Sequence, residues 1–287
     1  MNVIRSHKMA VVRALVARAH ALGVAAHLCI VNDPSSGFSD DVVARAVLGL
    51  AIQLQHHVAP EYGKAPPTVE FLPPGKTPPP ADLARVVATL AIVGKIPSDP
   101  NAQGWHQPIG SGGYGGIDGF ISTEGLDLDG LTECAGHELI ETLVDPGCDE
   151  ELEQADGSSL GKEPADATQA GGPNPNALRV PIDVGDGGAP VMGPNWCLAG
   201  WGVVGHRGKK DWLGLLPQNE DAPIGPYGYV ARTSPDGTTT DLFGVGWARV
   251  ELPAHLAHPD KRIGHRMAQM RASGAHRAAA KRHRVSA

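Results

Sequence analysis

Leu131-Thr-Glu-Cys-Ala-Gly-His-Glu-Leu-Ile-Glu-Thr-Leu-Val-Asp-Pro146 is the stretch on which the fold and chemistry of this chain turn. On a helix, residues i, i+4 and i+8 share a face, so His137, Glu141 and Asp145 form one polar stripe. Leu139, Ile140, Leu143 and Val144 fall on the other side and can enter a core. One imidazole and several carboxylates, backed by apolar residues, are what a metal site on a buried helix requires. The plain alternative is a buried His–Glu helix whose polar groups hydrogen-bond to a glycine-rich segment, with Asp145 as the turn residue before Pro146.

The order His137-Glu138-x-x-Glu141 resembles the zincin helix His-Glu-x-x-His, with Glu141 in place of the second histidine. In that pattern two ligands one turn apart hold zinc, and the glutamate after the first ligand acts on the bound water as general base. The resemblance thus implies His137 and Glu141 as ligands and Glu138 as the base. A glutamate ligand adds negative charge, which lowers Lewis acidity and admits Mn2+ or Ca2+ besides Zn2+. A catalytic zinc site needs a third protein ligand. Asp145 lies about 12 Å from His137 by helix rise alone, so the search moves to Gly161-Lys-Glu-Pro-Ala-Asp166. Glu163 is the preferred third ligand, with Asp166 behind it or in its place. Cys134, three residues before His137, reads as a small buried residue rather than a soft ligand.

Composition bounds the rest. Apolar residues make up 41% of the 287, which excludes wholesale disorder. Glycine (37) and proline (25) are abundant and aromatics scarce (5%), so turns and long irregular connections are expected rather than a helical bundle. The net charge is -7, but from His255 to Ala287 eight Lys and Arg face a single Asp, a net of +7. The rest of the chain therefore carries -14, an acidic body with a basic tail. The four cysteines form no Cys-x-x-Cys pair and are too few for a disulfide scaffold, which points to a reducing compartment. Arg13, Arg18 and His20 interrupt the first apolar run, so neither a signal peptide nor a membrane span is expected, and the location expected is cytoplasmic.

Along the chain, helical spacing predicts an amphipathic helix over Ser6–Leu22 and a second from Ser39 or Asp40 to about Val58. The inward set of the second is Val42, Val43, Val47, Leu48, Ala51 and Leu54. His56 and His57 near its end are expected to act as cations at a helix C-terminus. Strands are expected at 24–31, 66–72, within 83–96, at 119–122, 179–182 and 191–192. Gly110-Ser-Gly-Gly-Tyr-Gly-Gly116 lacks the Gly-Lys-Ser/Thr ending of a phosphate loop. Tyr227–Arg232 and Thr238–Phe243 flank Ser234-Pro-Asp-Gly237 and read as a hairpin, with one more strand over Gly244–Leu252.

Several stretches in order carry a resemblance to uncharacterised bacterial and actinophage proteins with a metallopeptidase-like helix. They are Ala51-Ile-Gln-Leu-Gln55, Val58-Ala-Pro-Glu-Tyr-Gly63, Gly104-Trp-His106, Gly136-His-Glu-Leu-Ile-Glu-Thr-Leu-Val-Asp-Pro146, Glu163-Pro-Ala-Asp166 and Gly193-Pro-Asn-Trp196. Plant phosphate-induced (exordium-like) proteins are similar over His-Glu-x-x-Glu…Asp-Pro. The family often has cysteine where Ala165 stands here. The resemblance implies an α+β, zincin-like fold: a small mixed sheet, an N-terminal helix pair, a central metal-site helix, a C-terminal β-hairpin and a basic tail. The expected domain is 1–252, with core 24–200 and added hairpin region 201–252, followed by the tail 253–287. It also implies a site of His137, Glu138, Glu141 and Glu163 or Asp166, with His106 nearby. The expected function is a metallohydrolase of peptide bonds, with a metal-bound water, Glu138 as base, and His106 or Tyr114 stabilising the oxyanion. The other reading is a non-enzymatic phage virion protein on the same scaffold, contacting capsid or tail proteins, with its tail on nucleic acid or an acidic surface.

Overall fold

The computed structural model describes residues 25–73, 76, 78, 86–97, 102–110, 116–168, 179–203, 205–218, 220, 223–225 and 228–243. The first expected helix, Tyr114, the strand expected over Gly244–Leu252 and the basic tail lie outside the described residues.

The first described element is strand β1 (Ala26–Asn32). Ser39 then caps α1 (Asp40–Gln53) by accepting from Val42 N, and Asp40 and Asp41 place negative charge on its first turn. The helix runs on through a π-helical turn (Leu54–Val58) and a last turn Ala59–Glu61. Strands β2 (Thr68–Leu72), β3 (Val86–Val93), β4 (Gly104–His106) and β5 (Gly119–Ser122) follow, and then α2 (Leu128–Val144). Asp127 caps α2 through Gly130 N at 2.8 Å. The five strands form one sheet in the order β2-β1-β3-β5-β4, parallel except for β4, which runs antiparallel to β5 at the edge.

Both faces of this sheet are covered. Leu28, Ile30, Leu90, Ile92 and Ile121 pack with Val43, Val47, Leu50 and Leu54 of α1 and Leu131, Leu139 and Leu143 of α2. Their strand neighbours Ala91, Val93, Trp105 and Phe120 form a cluster on the opposite face. Burial on both faces explains why β1 and β3 read as near-continuous apolar runs. Period-two alternation also decides β4: with Trp105 on the far face, Gly104 and His106 point toward the helices.

Further along come β6 (Glu151–Glu153), β7 (Ser159–Gly161), β8 (Arg179–Ile182), β9 (Val191–Pro194), β10 (Tyr229–Thr233) and β11 (Thr239–Phe243). The β10–β11 hairpin turns at Ser234–Gly237 as expected, and it extends into a four-stranded antiparallel sheet, β11-β10-β7-β6. The β6–β7 hairpin lies in a stretch where the sequence predicts no strand. Its turn rests on Asp156, which accepts from Ser158 N and Oγ. β8 and β9 pair as a ribbon, with Val180 and Ile182 in the main core.

Two expectations for α1 are corrected. Leu48 is 49% exposed and Val42 is only half-buried; Ala46 and Leu50 take the inward places. His57 is no helix-end cation: burial lowers its pKa, and its ring stacks on Trp212 at 4.8 Å. The run Asp40–Glu61 is long and apolar enough to cross a membrane, yet its apolar side is committed to the core.

α2 approaches β9 and α1 closely at Gly136, where a Cβ would overlap the Pro194 ring and lie 2.8 Å from Leu50 Cδ2. Gly136→Ala is expected to destabilise the fold by about 1–3 kcal/mol, measured as a lowered urea midpoint with an unchanged slope.

Candidate metal centre

The site is built where α2 passes the β4 edge of the sheet. Gly104 makes this possible: a Cβ there would lie 2.6 Å from Glu138 Oε1 and 2.9 Å from Cys134 Sγ. Thirteen of the seventeen α2 residues are buried, including His137, Glu138 and Glu141. The helix therefore has no solvent side at this level, and its polar stripe can face only other protein groups.

His106 Nδ1 lies 2.9 Å from Glu138 Oε2 and 3.5 Å from Glu141 Oε2. His137 Nε2 lies 3.2 Å from Glu141 Oε1 and 3.1 Å from Asp166 Oδ1. Glu141, fully buried, thus turns one oxygen to each histidine. Ligand atoms of His137, Glu138 and Glu141 lie mutually within 4.8 Å, as do those of His106, Glu141 and Glu163. Tetrahedral ligand atoms about 2.0–2.1 Å from a zinc ion are about 3.3 Å apart. The spacings of 3.1, 3.2 and 3.5 Å bracket that value. The donors, imidazole nitrogens and carboxylate oxygens, suit Zn2+ or Mn2+.

The acidic loop after β7 is held by the backbone. Cys197 N donates to Pro164 O at 2.8 Å, and Thr168 Oγ1 donates to Asn195 O at 2.8 Å. One turn of 3-10 helix, Asp166–Thr168, then presents Asp166 to His137. Of the two expected acids, Asp166 stands against His137, while Glu163 groups with His106 and Glu141. Asp145 ends α2 and its carboxylate accepts from Asp149 N and Glu150 N at 3.0 and 2.9 Å, away from His137. Cys134 donates to Gln103 O at 3.2 Å.

One neighbour was not foreseen. The Asp145–Cys148 turn, closed by Cys148 N on Asp145 O at 3.0 Å, holds Cys148 at φ 48° and brings its thiol against His106. A residue just past Asp-Pro-Gly carries no periodic signal, so only the turn chemistry hinted at it.

Burial disfavours the charged ring of His137, but Glu141 and Asp166 outweigh it and hold its pKa well above the ordinary imidazole value. Burial likewise opposes charge on His106, and Cys148 and Glu138 together raise it. Burial pushes the Cys148 thiol up, with His106 pulling the other way.

Comparison with protein-family models, with curated protein sequences and with solved structures finds no match to this chain.

Burial pushes Asp118 and Asp145 up from 3.8 to about 6, against hydrogen bonds from backbone N–H groups. Between about pH 4 and 6 the folded state therefore holds protons that the unfolded chain has released, and stability falls as pH rises. The raised histidines have the same sign: their contribution is complete below the ordinary imidazole pKa and is lost as pH rises through the folded value. Urea midpoints of chelator-treated protein are expected to fall from pH 4 to 8. Asp118→Asn should flatten the pH 4–6 portion by about 1.4 kcal/mol per pH unit at most.

Proposed function

We propose that this chain is a zincin-like metallohydrolase acting on peptide bonds. The observation that carries the reading is the convergence of His106, His137, Glu138, Glu141 and Asp166 through contacts of 2.9–3.5 Å inside a buried site. His137 and Glu141 would hold a divalent cation, with Asp166 beside His137 and Glu163 on the Glu141 side. Such a cation supplies Lewis acidity and lowers the pKa of water toward neutrality.

The remaining roles belong to the side chains themselves. Glu138 accepts the proton released as water becomes a nucleophile, and general-base help of this kind is worth about 10²–10⁴ in rate. His106 fixes the Glu138 carboxylate through Nδ1 at 2.9 Å. The apolar surroundings of α2 keep bulk water from competing.

Zinc-loaded protein is expected to cleave an unstructured protein such as casein. Glu138→Gln should lose at least about 100-fold in kcat with metal content unchanged, and His137→Ala should lose both metal and activity. Hydrolysis that survives Glu138→Gln, or that needs no divalent ion, would refute this reading.

A further inference from the structure

Glu141 is placed as a bridge rather than as a terminal ligand, and we propose that the centre takes two divalent cations that share its carboxylate. This inference rests on the metal-binding part of the proposed function and deepens it. The first position lies at His137 Nε2, with Glu141 Oε1 at 3.2 Å and Asp166 Oδ1 at 3.1 Å. The second lies at His106, with Glu141 Oε2 at 3.5 Å from Nδ1 and the Glu163 carboxylate within 4.8 Å of both residues. The two sets have only Glu141 in common.

Three observations favour two ions over one. Each histidine faces a different oxygen of Glu141, which is the disposition of a bridging carboxylate. The ligand atoms of His106 and Glu163 lie within 4.8 Å of one another and of Glu141, a second grouping that does not include His137. Charge agrees: Glu138, Glu141, Glu163 and Asp166 bring four carboxylates into one site, and two divalent ions neutralise four negative charges. Carboxylate-bridged ions about 3.5–4 Å apart clamp both the attacking and the leaving oxygen of a displacement. When the second position fills, His106 passes from hydrogen-bond partner of Glu138 to ligand.

The test is Mn2+ titration of the full chain followed by electron paramagnetic resonance. At two equivalents the wild-type protein is expected to show an exchange-coupled pair. Glu163→Gln and His106→Ala should each bind one equivalent less and show only isolated Mn2+, and Glu141→Gln should abolish the coupling. A spectrum of isolated ions at every loading, or a coupled pair that persists in Glu163→Gln and His106→Ala, would overturn the proposal. One isolated ion at His137 together with Glu138-dependent hydrolysis sinks the pair alone. Failure to bind any ion at His137 sinks the proposed function with it. Should His106→Ala fail to fold, the wild-type spectrum and Glu163→Gln decide the matter.

Discussion

Ionisable groups without bulk water are the constraint on which this structure depends. His106, His137, Glu138, Glu141 and Asp166 are each less than a tenth exposed and sit in mutual contact at the centre of the fold. Taking a carboxylate out of water costs several kcal/mol even after relaxation. Such a group persists only when a charge partner and hydrogen bonds compensate it. Two imidazoles held in their charged forms are one compensation, and divalent cations are the stronger one. The arrangement stabilises little by itself, and a fold that needed only a core would place apolar residues here.

The rest of the architecture delivers these groups to one point. The sheet presents His106 through the alternation of β4, and α2 presents His137, Glu138 and Glu141 from adjacent turns. The 3-10 turn Asp166–Thr168 closes the third side, tied down by the Thr168 hydroxyl on Asn195 O and, just before it, by Cys197 N on Pro164 O. Two glycines set the spacing: Gly104 lets the strand approach Glu138, and Gly136 lets the helix sink against Pro194 and Leu50. Side chains at either position would push apart groups whose chemistry depends on spacings near 3 Å.

Much of this was legible in the sequence because local rules and tertiary packing agree. Ser39 caps α1, Gly119–Ser122 is a strand, the Pro-Asp-Gly turn makes a hairpin, and His137 and Glu141 share a helix face. What was not legible depends on contacts distant in sequence. The strand at Gly104–His106 is only three residues long and exists because β5 pairs with it. The choice between Asp166 and Glu163 against His137 is made by the Pro164–Cys197 and Thr168–Asn195 bonds, which no spacing rule reveals. Leu48 looked apolar and inward, yet the width of the buried stripe excludes it.

Anomalous scattering from crystals grown with zinc tests the central claim most directly. Difference maps from data collected on either side of the zinc absorption edge should show a peak about 2.0–2.2 Å from His137 Nε2 and from a Glu141 carboxylate oxygen. Zinc sites confined to other parts of the molecule, with His137 still paired directly to Glu141 and Asp166, would contradict the account.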